Sequence, residues 1–164
     1  AGLLQDMAVP LLAKELPDVY VKLLAAREEG QLRLSTLEQH AFGWTHAQAA
    51  AIMVRQWNLP EDFAFLIENH LGLDSQNARD RRDPRLLAVS MSALLPTVAD
   101  PVWYEVGSLE SEYVKLRSAG SPPLQELLLQ VDKDFASFAP VLKIAMPQKS
   151  LLECYVEVAN AAVS

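Results

Sequence analysis

The chain has 164 residues, enough for one domain with a real core, and 51% hydrophobic content with a mean hydropathy near zero excludes a disordered polymer. A formal charge of −7 argues against a nucleic-acid partner, because phosphate binding needs a basic surface. No apolar run approaches the ~18–20 residues of a membrane helix, no basic-then-apolar leader is visible, and the single Cys154 excludes an internal disulfide or a cysteine zinc cluster. The expectation is an all-α, cytoplasmic protein without membrane or nucleic-acid partners.

In chain order, the apolar run Gly2, Leu3, Leu4, Gln5, Asp6, Met7, Ala8 and Val9 predicts a short helix ended by Pro10, with Asp6 on the face of Leu3 and Val9. It opens without a capping residue or an initiator Met, so the chain is expected to be a piece of something longer. Residues 19–29 predict a helix stopped by Gly30. Ser35 to Glu38 has capping-box spacing and begins a helix stopped by Gly43. Glu38 is assigned to that cap in preference to a hydrogen bond near His46.

Thr45 and Gln48 repeat the capping spacing for a helix in which Ala49, Ala50, Met53, Val54 and Trp57 share a stripe with His46. Pro60 suits a first helical position, and Phe63, Leu66, Ile67, His70 and Leu71 line the next buried face. His46, His70 and Asp6 are therefore all expected to look inward from different helices. An inward histidine is ordinarily a hydrogen-bonded core residue, but a buried carboxylate is costly unless paired or bound to metal.

A polar loop over residues 74–85 follows. Its cluster Arg79, Arg81, Arg82 and Arg85, interleaved with Asp80 and Asp83, reads first as a solvated loop and second as a grip on a nucleotide phosphate or an acidic partner. Three or four further helices are marked by Pro84, Asp100-Pro101, Ser121-Pro122-Pro123 and the breakers Pro140 and Pro147. Leu86, Leu87, Val89, Met91, Leu94 and Leu95 predict a central helix, and Leu124, Leu127, Leu128, Val131 and Phe135 a one-sided stripe. Cys154 falls on an apolar helix as a small core residue. Strand-type alternation, a Gly-rich phosphate loop, a nucleophile elbow and a Ser-His-Asp signature are all missing.

These residues resemble the HDOD domain, a signalling-output relative of the HD metal-dependent phosphohydrolases. The resemblance is carried by Gly2-Leu3-Leu4-Gln5-Asp6, Glu38, Phe42-Gly43-Trp44-Thr45-His46-Ala47, Trp57-Asn58-Leu59-Pro60 and Asn69-His70. It implies an HD-like helical bundle over residues 1–164, with motif-bearing helices in 1–73 and C-terminal helices in 86–164, and an upstream half-domain not contained in the chain. That missing segment, signalling proteins or a second copy of the chain are the expected partners.

Active HD sites, as the resemblance implies, use histidines where Gln5 and Asn69 stand here. An amide is a poor ligand for a transition metal. The pocket of Gln5, Asp6, His46, Asn69 and His70 is accordingly expected to be degenerate, the protein to be non-catalytic, and no cofactor to be required. The alternative is a weak divalent-metal site of Asp6, His46 and His70 serving a residual phosphohydrolase or nucleotide-binding function.

Overall fold

The computed structural model describes residues 1–27, 31–72, 83–97 and 102–161. Among the described residues it is built from helices and turns, with nine α-helices and no strand. The chain divides into two units, Ala1–Ala93 and Leu94–Ser164. No helix among the described residues is long and apolar enough to cross a membrane.

The first unit opens on a 3-10 turn, Gly2–Leu4, followed by α1 (Ala8–Glu15), α2 (Pro17–Ala26), α3 (Leu34–Phe42), α4 (His46–Gln56), α5 (Glu61–Asn69) and α6 (Pro84–Ser92). Its core joins α1, α4 and α5 through Ala8, Ala50, Ala51, Val54, Ala64 and Ile67, all fully buried. Four of these six are alanines, so the helix backbones approach closely before side chains meet. Leu4, Met7, Leu12 and Met53 pack on the margin and fill the space that the small residues leave.

Several boundaries differ from the sequence expectation, each for a local reason. Pro10 does not end a helix; it occupies the third position of α1, where its missing N–H has no intrahelical acceptor to lose. A 3-10 segment, Gly2–Leu4, precedes α1, and Asp6 lies in the turn that joins the two, so it is not part of a helical stripe: its side chain is 59% exposed. Helix α2 begins at Pro17, a favoured first-turn position, and ends at Ala26; Gly30 lies outside the described residues. Helix α3 starts at Leu34 after Arg33, with no side-chain cap, so the Ser35–Glu38 box does not form.

The Thr45–Gln48 capping box does form, with the Thr45 N–H donating to Gln48 Oε1 at 2.9 Å. The buried stripe of α4 is His46, Ala47, Ala50, Ala51 and Val54, turned by one position from the expected one. Trp57 caps α4 and is 53% exposed. In α5 the buried residues are Ala64, Leu66 and Ile67, with Phe63 exposed and Pro60 at the N-cap. Asn58, between α4 and α5, adopts a left-handed conformation (φ 55°), which asparagine tolerates better than most residues. Asp83 caps α6 by accepting the Arg85 N–H at 2.9 Å.

In the second unit, Trp103 is buried and its Nε1 donates to the Leu94 carbonyl at 2.8 Å. Three helices follow: α7 (Val106–Leu116), α8 (Leu124–Leu142) and α9 (Leu151–Ala161). Leu128 and Ala139 are the buried positions of α8, whereas Phe135 is exposed. Pro140 does not break this helix, which continues to Leu142 and closes on Lys143 in a left-handed conformation. The carboxylate of Asp132 accepts the N–H groups of Leu151 and Leu152 at 2.8 and 3.1 Å, so α9 is capped by a residue of α8. Cys154 is partly buried on α9.

Gly43 ends α3 with φ +75°, and a Cβ there would meet no heavy atom within 4 Å. Gly43→Ala should therefore lose only backbone free energy, about 1 kcal/mol, without a clash. Urea denaturation measures this loss. A decrease several times larger would mean that the turn makes contacts beyond its backbone conformation.

Candidate functional site

Glu38 of α3 is fully buried and accepts three hydrogen bonds. The Tyr20 hydroxyl of α2 donates to its Oε1. Its Oε2 receives the His46 backbone N–H at 2.8 Å and faces His46 Nδ1 at 2.6 Å. The left-handed Gly43 reverses the chain between α3 and α4 and sets Glu38 against the positive N-terminus of α4. Tyr20 is supported by stacking on Phe42, which in turn stacks on Trp44 with ring centroids 4.9 Å apart. Glu38 thus satisfies a neighbouring helix and an imidazole rather than capping its own helix, which corrects the sequence assignment.

His70, the C-cap of α5, is buried, and its Nδ1 donates to the Ile67 carbonyl at 2.6 Å. A carbonyl only accepts, so Nδ1 carries the hydrogen. The ionised Glu38 imposes the same choice on His46. Both Nε2 atoms then face Asp6: Oδ1 lies 3.2 Å from His46 Nε2 and 3.6 Å from His70 Nε2. Neither buried Nε2 makes a hydrogen bond among the described residues.

The ligand atoms of Asp6, His46 and His70 all lie within 4.8 Å of one another. The imidazoles form a buried floor, with ring centroids 5.8 Å apart, and Asp6 stands at the solvent-facing mouth. Two imidazole nitrogens and one carboxylate oxygen, with orphaned nitrogens aimed inward, fit a borderline divalent cation.

The other expected pocket residues do not join this ligand set. Gln5 lies alongside, its Oε1 accepting from Ser92 Oγ at 3.1 Å and its Nε2 reaching the outer oxygen of Asp6 at 3.4 Å. Asn69 donates its Nδ2 to the Phe65 carbonyl of its own helix at 2.8 Å. Arg85 is engaged by Asp83 and by Asp62 of α5, at 2.8 and 2.7 Å, so its charge is met by carboxylates of the chain. Arg79, Arg81 and Arg82 lie outside the described residues. Tyr20, which the sequence did not single out, completes the support of Glu38; its only signal was a polar group within an apolar helix.

The charges of the cluster are strongly coupled. Burial opposes the charged form of His46, but Asp6 and Glu38 outweigh it and raise its pKa to about 9. For Asp6, partial burial works against ionisation and the two imidazoles prevail, holding the carboxyl well below its usual range. Glu38 is lowered in the same way, with burial overcome by His46 and Tyr20. Burial and then Glu38 push the Tyr20 hydroxyl well above its ordinary value.

Residues 1–72 match the family model of the HDOD domain, an HD-superfamily-related domain. The matched stretch runs from the 3-10 turn through α5 and contains Asp6, Glu38, His46 and His70. No curated protein and no solved structure gives a significant match.

The raised pKa of His46 means tighter proton binding in the folded than in the unfolded chain, whose ordinary value is 6.5. Its stabilisation is full below about pH 6.5 and lost as pH rises through about 9. The depressed carboxylates Asp6 and Glu38 act oppositely, with stabilisation that is present above their unfolded values and lost on acidification. Chelator-treated protein should lose on the order of 3 kcal/mol between pH 6.5 and pH 9, a decline that His46→Gln removes. Denaturation at stepped pH tests this, and an unchanged alkaline decline in the variant would show that another group is responsible.

Proposed function

We propose that this chain, HDOD-like over residues 1–72, is a non-catalytic regulatory module of bacterial, cytoplasmic signal transduction that works by binding other proteins. The observation that carries this reading is the engagement of Gln5 and Asn69. At the two positions where the family resemblance calls for imidazole ligands, one side chain is held by Ser92 and the other by the backbone of its own helix. The three remaining ligand groups are too few for a two-metal hydrolytic centre.

Exposed apolar side chains support an interaction role. In the first unit Leu3, Val21 and Ile52 are mostly solvent-facing; in the second, Phe138 and Val141 are 62% and 75% exposed. Signalling would pass through helix surfaces that pack differently with and without a partner, while the buried His–Glu–Tyr group keeps α2, α3 and α4 in register.

A second reading is favoured by the two orphaned Nε2 atoms: a single divalent cation held by Asp6, His46 and His70. When bound, such an ion would act as a Lewis acid toward a phosphoryl oxygen or a bound water. Asp6 and the two imidazoles would hold it, and Glu38 would orient His46 from outside the ligand set.

The two readings separate in one pair of assays. In Mn²⁺, the purified protein should hydrolyse nucleotides and cyclic dinucleotides no faster than Asp6→Ala. In a deletion strain, a folded Asp6→Ala chain should restore the regulatory phenotype as well as wild type does. Metal-dependent turnover that Asp6→Ala abolishes would overturn the non-catalytic reading.

A further inference from the structure

The two site histidines are held at Nδ1 by different kinds of acceptor. His70 bonds a neutral carbonyl of its own helix, and any residue at position 67 would supply that oxygen. His46 bonds a fully buried carboxylate that comes from α3 and is itself held by a hydroxyl from α2. Burying a carboxylate carries a desolvation cost that a neutral amide would largely avoid while still accepting the same N–H groups. The charge therefore has a consequence at the far side of the ring, where Nε2 faces Asp6 and His70 and makes no hydrogen bond among the described residues.

We infer that Glu38 and Tyr20 are positioning residues for a divalent cation at Asp6, His46 and His70. This rests on the cation-binding reading above. Glu38 holds His46 in the tautomer that keeps hydrogen on Nδ1 and leaves the Nε2 lone pair for the cation. Its negative charge raises the donor strength of the imidazole, as carboxylates behind metal-bound histidines do. Tyr20 fixes the rotation of the carboxylate by occupying Oε1, so that Oε2 stays on His46.

Charge balance supports the assignment. With both imidazoles neutral, Asp6 and Glu38 contribute one negative charge each, and together they match a doubly charged ion. Asp6 meets the ion directly at the exposed mouth, and Glu38 acts one bond network away in the core. The arrangement also distinguishes the two histidines: His46 is the charge-supported ligand and His70 the neutral one.

The test uses the full chain, stripped of metal, with Co²⁺ as probe because its visible bands report the ligand set. Wild type, Glu38→Gln, Tyr20→Phe and the exposed same-helix control His40→Gln are titrated, and nitrogen NMR at alkaline pH reads the His46 tautomer without metal. Glu38→Gln should weaken Co²⁺ binding by roughly 10–100-fold and mix the tautomers. Tyr20→Phe should weaken it less, and His40→Gln should match wild type. Wild-type binding with equal affinity in Glu38→Gln and Tyr20→Phe overturns the positioning role and leaves the cation reading intact. A wild-type chain that takes up no Co²⁺ overturns the cation reading, and this inference with it. Should Glu38→Gln fail to fold, Tyr20→Phe, which keeps the charge and loses only the hydroxyl, decides by the same readouts.

Discussion

The first unit depends on a negative charge placed where water cannot reach it. Glu38 is fully buried, and its two oxygens are matched by donors from the helices on either side: the Tyr20 hydroxyl, the first backbone N–H of α4 and the His46 ring. An unpaired carboxylate in that place would cost several kcal/mol, so α2, α3 and α4 assemble in the one arrangement that supplies every donor. Four of the six residues in the apolar core of the unit are alanines, which pack closely but define position weakly. Directional bonds to Glu38 provide the register that small side chains do not.

That constraint also shapes the pocket. Because His46 is pinned from behind, its free nitrogen has a single direction, and the Ile67 carbonyl does the same for His70. Asp6 meets both from the turn between the 3-10 segment and α1, with most of its side chain in solvent. The site has a rigid, buried, nitrogen-bearing floor and an accessible carboxylate rim. Gln5 and Asn69 border it without adding ligands, since their amides bond to Ser92 and to the backbone of α5. The same carboxylates that stabilise the His46 proton would favour a cation in the proton's place.

The second unit is organised differently. Its fixed points are single polar contacts between successive elements: Asp132 capping α9, Trp103 bonding the Leu94 carbonyl, and Tyr155 donating to Glu110. No group of three potential metal ligands occurs there among the described residues. Near the end of α8 the apolar side chains of Phe138 and Val141 are largely exposed.

The features legible in the chain alone are local ones. The all-helical class followed from periodicity, and the helix stop at Gly43, the Thr45–Gln48 box and the helix mark at Pro84 followed from short-range chemistry that needs no distant partner. The inward aim of His46 and His70 was legible because each sits among apolar neighbours at helical spacing. Tertiary structure decided the rest. Glu38 had capping spacing, yet it is the fifth residue of α3 and points across the bundle, and the Tyr20 and His46 donors that settled its role lie 18 and 8 residues away. Helical spacing from Gly2 to Val9 puts Asp6 on an apolar face, but the chain turns at residues 5–7 before α1 begins, and that turn leaves Asp6 at the surface. Trp57 and Phe63 turned outward because the alanines of α4 and α5 face each other, a choice made by the packing of two helices. Periodicity specifies which residues share a face, but only the neighbouring helices determine what that face meets.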